Sequence, residues 1–529
     1  MRNLIIKGTS VKSARVYAGD TEQEQYAADQ LSFYLEKFGI IQGDDLTIEI
    51  RRNETLPREG FNIKVNENNS ILIEGADDRG VIYAVYGFLE HYARIKFFTP
   101  DIEDLGDGDI TVDEDWSYAP LFEQRESDWL CGRNTVWAAK NGINLLHGKD
   151  IPSRMGGNRK YGLFVHTMTE LIGTPPREQP CLSDPENLKK AIAGVREALK
   201  REPDANIMSV SQNDNRNYCK CEKCAAVDEE EGSHAGSLLR FVNAVADDIK
   251  EDYPDVIIDT LAYHYSQKPP KITKPRPNVC IRLCPINCCH GHTLDDATCE
   301  NNRIFAEDLV GWGKICDRIY IWDYVINFDF FTVTYPNFHI LRQNMRFFAE
   351  NGVKGIYPEG NYKCKCPFEF YELRCYLLAK LLWNPYMSTT EYHNHMNEFL
   401  AAYYGKGWRY VKAYIDFTSS KAVQNHYGIY SNPFIIIPKE DYAAMEDSII
   451  YWWDKAEELA GNRIENVKNS RQQWEYIRLM LHPDAEKGKL LYDTITGAKA
   501  LFSESKVEVD NLDFGASPDT WHARRKIFG

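Results

Sequence analysis

Two acidic residues stand at the ends of short β-rich runs. Asp214 closes "NIMSVSQND", in which Met208 and Val210 alternate with Ser209 and Ser211 before the polar Gln212 and Asn213. Glu359 closes "GVKGIYPEGN", between Pro358 and Gly360. A carboxyl group at a strand end inside a cleft can act as acid, base or orienting group. Two such groups on either side of a glycosidic bond can divide its hydrolysis, one protonating the leaving oxygen and one dealing with the anomeric carbon. Each residue also has a plainer reading. Asp beside Asn commonly caps a turn, and Glu359 suits a solvated loop.

Other side chains can bind what such a pair would cut. "IYIWDYVINF" offers Trp322 to stack on a sugar face and Asp323, Tyr324 and Asn327 as hydrogen-bonding groups, or else an aromatic run inside a core. His166, Tyr263 and His264 end further runs, although a lone histidine is more often structural. "CKCEKC" places Cys219, Cys221 and Cys224 within six residues. Three thiolates fall one short of the four N/S ligands of tetrahedral zinc. Cys181, Cys288, Cys289 or His234 can supply the fourth, and the spacing does not choose among them. A local disulfide and simple packed thiols are the other readings. CxxC redox pairs open a helix in thioredoxin-like units, a context absent here. No catalytic cofactor is expected, and no P-loop, GxGxxG, GxSxG or HExxH pattern occurs.

The elements that must position these residues are legible from the hydrophobic pattern. From about 119 to 405, eight short β-rich runs recur, most followed by a helical stretch: "FEQRESDW", "GINLLHG", "YGLFVHTM", "NIMSVSQND", "VIIDTLAYHY", "NVCIRLCPIN", "RIYIWDYVIN" and "GVKGIYPEGN". That repetition fits a (β/α)8 TIM-like barrel, whose active site lies at the C-terminal ends of its strands. Gln212-Asn213-Asp214, Tyr263-His264-Tyr265, Trp322-Asp323-Tyr324 and Glu359-Gly360-Asn361 all fall at such ends. In barrel order the fourth strand faces the eighth across the mouth, which would aim Asp214 and Glu359 at one bond. Residues 1–118 read as a small α/β domain with strands at "NLIIK", "ARVYA", "LTIEI", "FNIKV" and "ILIEG". Its first helix has a capping box at Thr21 and Glu24 and an apolar face of Ala27, Leu31, Tyr34, Leu35 and Phe38. Residues 406–529 read as a helical C-terminal region, with Gly461 at a helix end.

Composition narrows the partners. A net charge of −16, spread along 529 residues, disfavours nucleic acid and anionic membranes, which need clustered Lys and Arg. No run of 18 apolar residues occurs, so no membrane span is expected. The opening "MRNLIIKGTSVKSARVYAGD" has too short an apolar run for a signal-peptide core, so a cytoplasmic protein is expected unless an export signal has been removed. The 31 tyrosines and 11 tryptophans hint at carbohydrate, because aromatic faces stack on sugars. The 14 cysteines all lie between Cys131 and Cys375, too unevenly for a disulfide scaffold.

The segments "SVSQNDNRNYCKCEKC", "LAYHYSQKPPK", "CPINCCHGH", "IWDYVINF", "NGVKGIYPEGN" and "YLLAKLLWNP" together resemble domain of unknown function 4838, over roughly 120–405. That family is associated with family-163 glycoside hydrolases, endo-β-N-acetylglucosaminidases acting on complex N-glycans. The helix "EQYAADQLSFYLEKFGI" is similar to the small α/β domain that precedes the barrel in α-glucuronidases and β-hexosaminidases. The resemblance implies an oligosaccharide substrate and retention by substrate assistance, in which the 2-acetamido oxygen attacks the anomeric carbon. It further implies that Asn213 or Asp214 orients the acetamide and that Glu359 is the acid/base, or the reverse. One departure is Pro358, where the family pattern has a second acidic residue, so that an altered activity is one expectation. The alternatives are an α-glucuronidase-type exo-enzyme, with Arg282 to hold a uronate, and a non-catalytic glycan-binding barrel.

Overall fold

The computed structural model describes residues 2–146, 148–360 and 368–497. Eight strands follow one another in the middle of the chain: β1 (Gln124–Ser127), β2 (Leu145–Leu146), β3 (Tyr161–Leu163), β4 (Ile207–Ser209), β5 (Ile257–Ala262), β6 (Val279–Leu283), β7 (Ile319–Tyr324) and β8 (Val353–Glu359). They form one all-parallel sheet in the order β2-β1-β8-β7-β6-β5-β4-β3. This is the cyclic order of the expected barrel, with one qualification. No ladder joins β2 to β3, and the seam between them is spanned by a backbone hydrogen bond from Arg159 N to Asn144 O, 3.0 Å.

Most crossovers carry a helix, but two do not. Between β2 and β3, and between β5 and β6, only a turn of 3-10 helix intervenes among the described residues. Elsewhere, amphipathic helices such as Ala235–Ile249 bury one face on the sheet, here through Leu238, Val242, Val245 and Ile249.

Period-two alternation sorts the strand residues. Ile207, Ile257, Cys280 and Tyr320 meet in one buried cluster at the base of the barrel interior. Above them Arg282 pairs with Asp259 at 2.7 Å and donates to the Tyr161 hydroxyl, between the rings of Tyr161 and Tyr320. Above these, Leu261, Tyr263, Cys284 and Tyr324 form a further cluster. The intervening residues face outward. Ile258, Ile281, Ile319, Ile321, Val353 and Ile356 join the main core beneath the helices.

The N-terminal part contributes a five-stranded sheet ordered Trp116–Tyr118, Phe61–Asn66, Ser70–Gly75, Ile41–Arg52, Ser13–Ala18. The helices Glu22–Phe38 and Asp78–His91 pack on it. The Thr21–Glu24 capping box is present, and the expected apolar face of the first helix is buried. This part is tied to the barrel by Glu59, buried at a left-handed φ of 55°. Glu59 accepts from Arg125 on the outer side of β1 at 2.6 Å and from Arg79 at 2.6 Å. Burial pushes the Glu59 carboxyl up, but the two guanidiniums outweigh it and hold the group at about 2.

From Thr389 the chain is helical, through Trp408–Ala422, Lys439–Leu459 and Ile464–Leu481 to Ala485–Gly497. Gly461 takes a φ of +58° after the helix that ends at Leu459. Residues 498–529 of the expected helical region, and Asn361, lie outside the described residues. Among the described residues no helix is long and apolar enough to cross a membrane.

Candidate functional site

The C-terminal ends of the strands gather a ring of aromatic and acidic side chains. Asp214, five residues past the end of β4, is exposed and accepts from the Tyr263 hydroxyl at 3.1 Å. Tyr263 follows β5 directly. Burial, with Asp214 beside it, raises the Tyr263 hydroxyl well above its ordinary range, so Tyr263 stays a donor. Across the mouth, Glu359 at the end of β8 accepts from Trp322 Nε1 at 2.7 Å. Tyr320, Trp322 and Tyr324 alternate inward on β7, as do Gly355, Tyr357 and Glu359 on β8. Trp322 meets Tyr357 edge-on at 4.6 Å, and Phe164 lies 5.6 Å from Trp322.

Asp214 and Glu359 act on common neighbours. Both bear on Cys284, whose thiol is raised chiefly by burial, and both bear on Tyr430, raised chiefly by burial as well. Tyr430 comes from the helical region, is 58% exposed, and its ring lies 6.2 Å from that of Phe328. His166 and His264 stand on the Asp214 side. The His166 ring lies 6.1 Å from Tyr263, and its Nδ1 is 2.8 Å from Gln212 O. His264 lies 3.8 Å from the Tyr263 ring, with Nδ1 3.2 Å from Arg216 Nη2, and burial and Arg216 lower it. Both histidines hold left-handed backbones, φ 60° and 51°. Such conformations cost about 1–3 kcal/mol and gather at functional sites.

Four residues expected at the mouth have other work. Asn213 is buried and donates to Pro175 O and Glu178 O at 3.1 and 3.0 Å, so it holds a loop and does not reach an acetamide. Asp323 takes the outward register of β7, beside Cys288 and Asn337, where burial raises its carboxyl to about 7. Asn327 accepts from Asp329 N and Phe330 N and donates to Ser431 O, which occupies its amide in loop structure. Arg282 lies fully buried against Asp259 in the barrel interior, out of reach of a uronate. Pro358 pairs with Asp323 across the ladder and shares its outward register. An acidic residue there would point away from the mouth.

Glu126, Asp128, Tyr357 and Tyr430 were not foreseen. Asp128 Oδ2 accepts from Gly360 N at 3.0 Å, and Tyr357 feels Asp128, Glu359 and Glu126 after burial itself. The spacing of Glu126 and Asp128, two apart at the end of the first strand, was the available signal. Nothing local to Tyr430 marks it.

The cysteine run finds its fourth partner in Cys181, in the loop before the helix Pro185–Arg201. The sulfurs of Cys181, Cys219, Cys221 and Cys224 all lie within 4.8 Å of one another. His234 pairs with Asp228 at 2.8 Å instead, and Cys288 and Cys289 lie beyond β6.

The fold recurs among solved structures. A family GH115 4-O-methyl-α-glucuronidase with specificity for decorated arabinogalactans aligns over 96% of this chain and 77% of its own, at 11% identity and a TM-score of 0.55. CpGH89 from Clostridium perfringens, in complex with its substrate GlcNAc-α-1,4-galactose, aligns over 90% of this chain and 64% of its own, at 12% identity and a TM-score of 0.46. No curated protein matches the chain. Residues 107–416 match the model described as Domain of unknown function (DUF4838), and the chain belongs to that family.

Proposed function

We propose that this protein is a glycoside hydrolase whose acid pair is Asp214 and Glu359. The reading rests on one observation. Two carboxyls, Asp214 after the fourth strand and Glu359 at the end of the eighth, are each held by an aromatic donor at the C-terminal mouth of an eight-stranded parallel sheet. Trp322 offers a sugar-stacking face beside the acid that would protonate the glycosidic oxygen.

Within this reading the substrate is an N-acetylglucosamine-containing glycan, cut internally with retention. Asp214, aligned by Tyr263, orients the 2-acetamido group so that its carbonyl oxygen attacks the anomeric carbon. Glu359, aligned by Trp322, gives its proton to the leaving oxygen and then takes one from the water that opens the oxazoline-type intermediate. The exo-glucuronidase reading has lost the arginine that it invoked.

The test is release of sugar from a complex N-glycan, with products sized by mass spectrometry. Asp214→Asn and Glu359→Gln should each lower kcat by about 10²–10⁴-fold. A substrate lacking the acetamide should resist cleavage. An unmodified protein that binds glycan without cutting it would favour the non-catalytic barrel. Turnover that survives both substitutions would remove the site assignment.

A further inference from the structure

A second set of metal-type donors lies outside the mouth. Cys289 and His292 sit in the loop after β6, Cys299 caps the helix Glu300–Gly313, and His426 follows the helix Trp408–Ala422. One donor atom from each lies within 4.8 Å of all the others. Cys289 Sγ is 3.3 Å from His292 Nδ1, and Cys299 Sγ is 3.6 Å from His426 Nδ1.

Those spacings fit a metal better than a hydrogen-bonded cluster assembled by chance. Zinc takes sulfur at about 2.3 Å and nitrogen at about 2.0–2.1 Å, so a tetrahedral ion holds S and N about 3.5 Å apart and two sulfurs about 3.8 Å apart. The backbone has been built for the same end. Asn302, fully buried, donates to the carbonyls of Cys289, His292 and Thr293 and accepts from Cys289 N, which fixes the turn that carries two donors. Gly291 N points at Cys289 Sγ at 3.4 Å, the amide-to-thiolate contact of a metal knuckle. A side chain on Gly291 would strike Asn425 O, so the residue next to His426 is pressed onto the loop. His290 N donates to Tyr427 O at 2.8 Å on the other side of His426.

The four-cysteine set obeys the same geometry independently. Cys181 Sγ lies 3.6 Å from Cys221 Sγ and 3.9 Å from Cys224 Sγ, either side of the tetrahedral value and far beyond the roughly 2.05 Å of a disulfide. Cys224 N points at Cys221 Sγ at 3.5 Å. Four protein donors leave no open position, which marks each site as structural.

We propose that Cys289, His292, Cys299 and His426 bind a structural zinc ion that pins the segment 423–432 onto the barrel, and that Cys181, Cys219, Cys221 and Cys224 bind a second. The first ion has a reach beyond its ligands. Ile429 of the pinned segment packs with Leu261, Tyr263 and Tyr324, Phe328 N donates to Ile429 O at 2.7 Å, and the ring of Tyr430 lies 6.2 Å from that of Phe328. The ion therefore holds Ile429 against Tyr263 and Tyr324 at the mouth, a consequence for turnover that rests on the proposed hydrolase reading, whereas the metal itself does not.

Elemental analysis of the full chain, purified without chelator and dialysed after addition of zinc chloride, should find two zinc ions per chain. His426→Ala and Cys221→Ser alter exposed ligands, so the chain should fold, as circular dichroism checks. Each should reduce the content to one, and the double substitution should abolish it. Cobalt in place of zinc should give the absorption of tetrahedral thiolate coordination, weaker in sulfur-to-metal charge transfer for the site left by Cys221→Ser. If His426→Ala leaves the zinc content unchanged, the mixed site is refuted, and a metal-free protein refutes both. Because metal content is read without substrate, an inert enzyme that carries two ions would refute only the hydrolase.

Discussion

Trp322 and Asp323 are adjacent in sequence and opposite in role, because alternate strand residues face opposite sides. Trp322 turns inward and donates to Glu359. Trp322→Phe keeps the ring and removes the donor. A hydrogen bond to the protonated acid contributes about 0.5–1.5 kcal/mol, so kcat should fall by up to roughly tenfold, with melting temperature little changed. An unchanged kcat would separate Trp322 from catalysis. Asp323 turns outward, where burial raises it to about 7. Its native form keeps a proton that the unfolded chain releases near pH 4, so stability falls as pH rises from about 4 to about 7. Asp323→Asn should remove that loss, on the order of 2–4 kcal/mol. Thermal melts at pH 4 and pH 8 would show the native chain losing more ground than the variant, which keeps the loss from Glu372, a carboxyl that burial likewise raises to about 7. Parallel losses in both would refute it. The types of these residues were readable in the sequence, but their facing depended on a register that "IYIWDYVIN" alone left open. Asn213 misled for another reason, since a loop thirty-odd residues earlier claims its amide.

The strands were the most legible elements, because apolar runs bounded by polar residues mark them directly. The crossovers were less so. The absence of helices between β2 and β3 and between β5 and β6 leaves no periodic signature to read. The mouth-facing ends of β4, β5, β7 and β8 are recognisable as a set, whereas Glu126 and Asp128, at the end of β1, carry only their spacing of two as a signal. Gly355 in β8 shows how tightly the interior sets the sequence. A methyl group there would meet Tyr320 Cδ1 at 2.7 Å and Gln124 Cβ at 2.8 Å. Gly355→Ala should cost about 1–3 kcal/mol, the usual range for overpacking, measured by denaturant unfolding. A neutral result would mean that the barrel can open around that strand without strain.

At the scale of the molecule, the N-terminal sheet and the barrel meet through Glu59, Arg79 and Arg125. No local pattern reveals this contact, because its partners are 66 residues apart. Glu59→Gln would leave buried guanidiniums without their charge partner and should cost about 3–5 kcal/mol. The carboxyl is depressed in the folded chain, so its contribution is complete above about pH 4.5 and is lost as pH falls toward about 2. Acid titration should therefore release the native chain over that window, and the variant should lack the transition's Glu59 share. Identical acid profiles would refute it. The seam between β2 and β3 has a further meaning. A ladder complete on every side would have left the barrel no free margins, yet here two remain, and they belong to strands of only two and three residues. Such brevity gives another chain little to pair with, which guards against aggregation. It also makes this margin the first place to breathe. Amide protons of β2 and β3 should exchange with solvent well before those of β5 to β7, and the wall beside Phe164 and His166 would be the part of the mouth that yields first.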